Sequence, residues 1–186
     1  MISRRGLLFG IGAGLATSCG LPAYAHDDKF KLDEKFEPQS TSFSGYEPGT
    51  IIIDPKNHFL YLQLETDMAR RYGVGVGRSG LAFRGQAEVG RKAKWPSWTP
   101  TANMIRRNPK KYGRFAKGVP GGPKNPLGSR ALYLYRDGRD TLYRIHGTTE
   151  PSSIGRSVSN GCIRMINEHV EDLFERVPVG ARVVVL

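Results

Sequence analysis

"TLYRIHGTTEPSSIGRSVSNGCIRMINEHVEDLFERVPVGARVVVL", Thr141 to Leu186, runs through strand, loop, helix and strand, with a single thiol in the loop. The opening "TLYRIHG" is rich in branched and aromatic residues and predicts a strand. Asp137-Gly138, in the "DGRD" just before it, is a strong hairpin signal joining it to "RALYLYR", residues 130–136. "INEHVEDLFERVPVG" predicts a helix. Asn167 can cap it, acids cluster near its start, and Val170, Leu173, Phe174 and Val177 keep the i, i+3, i+4, i+7 spacing until Pro178 and Gly180 stop it. "ARVVVL" closes the chain as a buried strand.

Strand signals continue upstream. "TIIID" stops at Pro55, Lys56 and Asn57 make a turn, and "HFLYLQL" resumes, which reads as a second hairpin. "RYGVGVGRSG" contains Gly75-Val-Gly77-Arg-Ser-Gly80, a formal match to the dinucleotide fingerprint G-x-G-x-x-G. That motif works only where its last glycine opens a helix whose N-terminus faces a pyrophosphate. More glycine and a proline follow here without helical period, so these glycines read as strand and turn. Lys94 to Gly128 is a long irregular segment, rich in proline and glycine, with Trp95, Trp98 and many cations. Segments of that length inside compact domains tend to be lids or binding loops. Basic residues among aromatics also suit single-stranded nucleic acid, but no nucleic-acid module surrounds them, and a solvated basic loop is the plain alternative. The sum is a mainly β domain with one helix.

With 186 residues, 39% of them hydrophobic, the chain suits one globular domain and a tail. Residues 1–25 differ from the rest: Arg4 and Arg5 precede an apolar, glycine-rich run, and Ala23-Tyr24-Ala25 supplies an A-x-A cleavage pattern. This reads as a twin-arginine-like export signal, with the Sec route left open. Lipidation at Cys19, within "LATSC", is the alternative processing. Residues 26–48 are polar, mixed in charge and broken by Pro38, Gly45 and Pro48, which predicts a flexible tether. Phe30, Leu32 and Phe36 offer the alternative of an arm docked on the domain, residues 49–186. Cleavage would remove Cys19 and leave Cys162 alone, unable to form an intrachain disulfide. It would also lower the formal charge from +11 to +9 by the loss of Arg4 and Arg5. That excess favours a polyanionic partner: nucleic acid, an anionic lipid surface or a carboxylate-rich bacterial wall.

Cysteine chemistry needs a thiolate, and an ordinary thiol is mostly protonated at neutral pH, so a reactive cysteine wants a base nearby. Of four histidines, His26 lies by the cleavage site, His58 in a turn, and His169 on the predicted helix, where a solvated face is expected. His146 ends an apolar strand, is followed by Gly147 and lies 16 residues before Cys162. The loop between them can double back and bring the two together.

"RIHGT" followed by "SIGRSVSNGCIRM" resembles the signature of the L,D-transpeptidase catalytic domain, the YkuD family: a His, a spacer, Ser/Thr-x-Gly-Cys and a hydrophobic-Arg pair. "EVGRKAKWPSWTPTANMI", "NPLGSRALYL" and "VPVGARVVVL" extend the likeness to the ErfK/YbiS-type members over residues 49–186. Many relatives carry His where this chain has Asn160. The resemblance implies a β-sandwich of mixed sheets with one packed helix and the long loop near the cleft. It makes Cys162 the nucleophile and His146 its base, with the Ser159 carbonyl orienting the imidazole and the amides around Gly161 and Cys162 forming an oxyanion hole. Arg164, Gly147, Asn160 and Trp98 are implied as substrate-binding residues. A salt bridge from Arg164 to Glu168 or Glu171 is the plain alternative for that residue. The implied enzyme works in the periplasm on tetrapeptide stems of peptidoglycan through a cysteine thioester, with no cofactor or metal. It forms 3-3 cross-links or attaches a lysine-bearing outer-membrane protein, with no nucleic acid and no transmembrane segment involved. An L,D-carboxypeptidase and a non-catalytic wall-binding module are the alternatives. Papain-like peptidases place Cys before His, and sortases separate His and Cys more widely and lack "SNGC".

Overall fold

The computed structural model of the protein describes residues 30–186. The export-signal reading of residues 1–25, Cys19 and His26 therefore lie outside the described residues.

The predicted hairpins form because their turns are locally determined. Strand β2 (Ile51–Asp54) pairs antiparallel with β3 (Phe59–Gln63), and the Asp54 carboxylate accepts from the Lys56 and Asn57 amides to close the turn. Strands β7 (Arg130–Arg136) and β8 (Arg139–His146) meet at Asp137 and Gly138, both with positive φ, as a twisted two-residue turn requires. β11 (Arg182–Val185) lies parallel to β2 and antiparallel to β6 (Gly85–Lys94). This central place explains why Ile51, Ile52 and Ile53 are all fully buried: a strand covered on both faces needs apolar residues throughout.

With β1 (Gln39–Ser42), β4 (Met68–Gly73) and β10 (Ile163–Arg164), these strands make one nine-stranded mixed sheet in the order β1-β4-β3-β2-β11-β6-β7-β8-β10. A second sheet contains only β5 (Val76–Gly77) and β9 (Ser157–Ser159). The mainly β architecture of mixed sheets with one packed helix agrees with the sequence reading, and most of the strands run on in one continuous sheet. Laid flat, nine strands would span about 40 Å. Yet Leu60 and Tyr72 from one end share a single core with Leu132 and Ile145 from the other, so the sheet must curl. Register shifts at Gly90 in β6 and between Tyr133 and Tyr135 in β7 supply bends.

The expected helix is α3 (Asn167–Arg176), which buries Val170, Leu173 and Phe174 against the sheet. Asn167 does not cap it. Its carboxamide oxygen instead accepts from the Ser129 amide, 3.2 Å away, tying the helix start to β7. The long segment is less irregular than predicted, since α1 (Ala102–Arg107) and α2 (Pro109–Tyr112) form within it. Thr101 and Asn108 each cap one of them by accepting a backbone N–H.

Of the flexible tether expected over residues 26–48, the part from Asp33 to Ser42 takes the alternative form, an arm docked on the domain. From Asp33 onward the chain is docked: β1 adds to the sheet beside β4, and Phe36 lies against Gly73 and Gly155, where any Cβ would strike it. Local composition was a poor guide because pairing with β4 supplies what the segment itself lacks. His169 is likewise buried, with Nε2 3.2 Å from Glu37 of this arm, where a solvated face was expected. Among the described residues no helix is long and apolar enough to cross a membrane.

Candidate active site

β10 lies parallel to β8, with Ile163 opposite Ile145 and Arg164 opposite His146. That register sets Cys162, the residue before β10, and His146, the last of β8, on adjacent backbones. Both open into one cleft of about 300 Å³. Trp98, Ser159, Asn160 and Arg164 line the same cleft, so six of the eight residues singled out in the sequence converge there. The other two, Gly147 and Gly161, lie outside its lining.

Ser159 is almost wholly buried and shapes the loop around the thiol. Its hydroxyl donates to the Cys162 carbonyl at 2.6 Å and accepts from the Gly161 amide at 3.0 Å. Gly161 adopts φ +127°, and a Cβ there would strike the Tyr143 ring and the Leu81 carbonyl. Only glycine fits such a turn without strain. The glycines of "RYGVGVGRSG" serve the same loop from below. β5 pairs with β9, and a Cβ on Gly77 would meet the Gly161 Cα at 2.7 Å. No helix begins at Gly80, in accord with the strand-and-turn reading.

Three expected roles change. The Ser159 carbonyl accepts from the Arg78 amide, and the imidazole of His146 is oriented by the Gly147 carbonyl, 2.5 Å from Nδ1. A carbonyl can only accept, so Nδ1 carries the hydrogen and Nε2 is left as the basic nitrogen. Gly147 thus acts behind the histidine; a Cβ on it would strike the Asn167 carboxamide. Of the two amides expected to face an oxyanion, that of Gly161 is already spent on Ser159, and that of Cys162 has no hydrogen bond among the described residues.

Burial pushes the His146 pKa down to about 4, opposed by the Gly147 carbonyl and reinforced by the charges of Arg164 and Arg144. Burial also pushes the Cys162 thiol up, partly offset by the Arg144 amide and by the same two cations. The resting pair is therefore a neutral thiol and a neutral imidazole. Sγ faces the Leu142 carbonyl at 3.9 Å. Such a pair can deliver a nucleophile as the proton leaves, with the base already in its accepting form.

Arg164 pairs with Glu150 at 2.6 Å, not with Glu168 or Glu171. Sequence reasoning missed Glu150, the single acid in the cleft lining, although its place between the signature His and Cys was a signal. It also missed Tyr112. Asn160 donates to the Tyr112 hydroxyl at 2.7 Å and accepts from Arg78 at 3.0 Å, so it joins the thiol loop to the long segment. Trp98 packs edge-on against Tyr112 and Phe115 and forms the apolar wall. Among the described residues no group of three or more His, Cys, Asp or Glu is placed to hold a metal ion.

A family model described as the L,D-transpeptidase catalytic domain, YkuD, matches residues 48–185. The Escherichia coli (strain K12) protein named "Probable L,D-transpeptidase YbiS" is 38% identical over 137 residues, covering 73% of this chain and 43% of that protein. The chain thus spans less than half the length of this relative. A crystal structure from Brucella melitensis, described as a "Probable carnitine operon oxidoreductase caia", is 57% identical, covers 83% of this chain and 96% of its own, and superposes with a TM-score of 0.58. L,D-transpeptidase 3 from Mycobacterium tuberculosis shares the fold at 14% identity and a TM-score of 0.58, over 74% of this chain and 60% of that one.

Proposed function

Because the chain belongs to the YkuD family of L,D-transpeptidase catalytic domains, we propose that it is an L,D-transpeptidase of the bacterial cell envelope that acts on tetrapeptide stems of peptidoglycan. The observation that carries this is the pairing of β8 with β10, which brings the Cys162 thiol and the His146 imidazole into one cleft. Cys162 Sγ attacks the carbonyl of the third stem residue while His146 Nε2 takes the thiol proton. The Cys162 amide faces the developing oxyanion. His146 returns the proton to the departing amine of the terminal D-alanine, and a thioester remains. An incoming amine then attacks the thioester, loses its proton to His146 and releases the sulfur as thiol. The amine of a neighbouring stem gives a 3-3 cross-link, and a lysine of an outer-membrane protein gives an anchored protein. Export to the periplasm through residues 1–25 accompanies this reading, as does the absence of any need for a cofactor.

The name carried by the Brucella relative raises an oxidoreductase as a second reading, for which this sequence offers a formal dinucleotide fingerprint. Gly75-Val-Gly77-Arg-Ser-Gly80 is the segment it would need. Here that segment forms strand and turn with no helix N-terminus to meet a pyrophosphate, and it supports the cysteine loop instead.

Incubating the protein with disaccharide tetrapeptide and weighing the products tests the proposal. Loss of D-alanine with dimer formation is expected. Loss of D-alanine with only monomeric tripeptide would reassign it as a carboxypeptidase, and intact stem retained on the protein would make it a binding module. Cys162→Ala should abolish turnover and keep the fold.

A further inference from the structure

The positive charge of this protein is concentrated in one segment. Residues 89–136 hold twelve of the chain's 28 lysines and arginines and none of its 17 acids, so the remainder nearly balances at 16 against 17. Part of this cationic segment is spent inside the fold. Lys92 donates to the Phe174 and Val177 carbonyls, Arg136 to those of Gln86 and Arg84, and Arg130 and Lys94 lie near Glu171 and Glu175.

The cations between residues 106 and 124 are different. Arg106, Arg107, Lys110 and Lys117 are all exposed and form no salt bridge among the described residues. Lys111, Arg114 and Lys124 are equally exposed and unpaired and stand at the cleft itself, in its lining. Two of these lie over aromatic rings, Lys111 over Tyr112 and Arg114 over Phe115. Through Tyr112 the segment is tied to Asn160 and so to the thiol loop. Seven unneutralised cations on one lid repel one another, so without an anionic partner the arrangement costs stability.

The structure assigns this lid a second role, as a docking surface for the carboxylates of polymeric peptidoglycan on stems other than the one in the cleft. The inference rests on the transpeptidase reading for the identity of the polymer. Charge complementarity and position decide the partner. Lys111, Arg114 and Lys124 stand at the cleft and the other four cations lie on the same short segment, so neighbouring stems of an engaged strand can meet them. A lipid surface fits less well, because no large hydrophobic residue between 100 and 124 is exposed to enter it. Docking of this kind brings in several weak contacts at once and is screened by salt.

The test is co-sedimentation of the full chain with purified sacculi, from 50 to 200 mM salt, for the parent and for the variant R106Q/R107Q/K110Q/K117Q. None of these four residues lines the cleft. The variant should bind sacculi about tenfold more weakly at the lower salt and show a flatter salt dependence. Its turnover of soluble disaccharide tetrapeptide and its acylation by a carbapenem should match the parent, which separates this test from that of the transpeptidase reading. Sacculi whose carboxylates have been converted to neutral amides should lose the parent's binding as well. Equal affinity and equal salt slope in parent and variant would overturn the assignment. So would undiminished binding to the amidated sacculi, or a loss confined to phosphatidylglycerol vesicles.

Discussion

Ser159 holds the nucleophile loop with one hydroxyl, donating to the Cys162 carbonyl and accepting from the Gly161 amide. Replacing it with alanine leaves a buried amide without a partner, at a cost of about 1–3 kcal/mol. Ser159→Ala should therefore slow acylation by a carbapenem at least about tenfold, measured by stopped-flow absorbance. A rate equal to the parent's would show that the loop keeps its shape without the hydroxyl. The His146–Cys162 pair makes a second prediction. With the imidazole pKa pushed down to about 4 and the thiol pushed up, both groups stay neutral across the range between. The acylation rate should be level across neutral and mildly acidic pH and halve only near pH 4, where the base becomes protonated. An acid limb centred near the ordinary histidine pKa would instead indicate a preformed thiolate–imidazolium pair.

Among the elements, the docked arm joins residues 33–42 to the domain through β1, through Phe36 and through the Glu37–His169 contact. Phe36 is half-buried and lies 5.7 Å from the Phe59 ring. Phe36→Ala should lower the stability read by urea denaturation by about 2 kcal/mol, below the range for a fully buried phenylalanine. No change would mean that the arm contributes nothing to the folded state. Which elements were legible in advance follows the same physics. β2–β3, β7–β8 and α3 are set by adjacent residues: an Asp turn, an Asp-Gly turn and a periodic apolar face. β1, β5, β9 and β10 are two to four residues long and exist only through partners distant in sequence, so no local pattern announces them. The site divides in the same way. Cys162 and His146 stood out by chemistry and spacing, while the Asn160–Tyr112 link joins residues 48 apart and depends on a lid whose fold is itself non-local.

At the scale of the whole molecule, acid should weaken the fold for a definite reason. His146 is buried in its neutral form with a folded pKa near 4, while the unfolded chain takes up that proton around the ordinary histidine value. The unfolded state thus binds more protons between those limits, and stability falls as pH drops through that window, by roughly 3 kcal/mol for this one residue. Asp172 extends the loss to lower pH. Burial raises its carboxyl, but hydrogen bonds from Tyr72, Arg176 and Arg70 outweigh that and hold it below the usual range, so their contribution disappears as the carboxylate protonates. Urea titrations at pH 7 and pH 4.5 should show the difference, and His146→Gln should flatten it. Equal midpoints in the parent would exclude a buried neutral imidazole.

Every step of the proposed chemistry depends on a sulfur that becomes acylated. Intact-mass spectrometry of the protein after exposure to a carbapenem, followed by peptide mapping, reads this directly. One adduct is predicted, located on Cys162 and absent from Cys162→Ala. An unmodified parent protein, or an adduct that persists in Cys162→Ala, would contradict it.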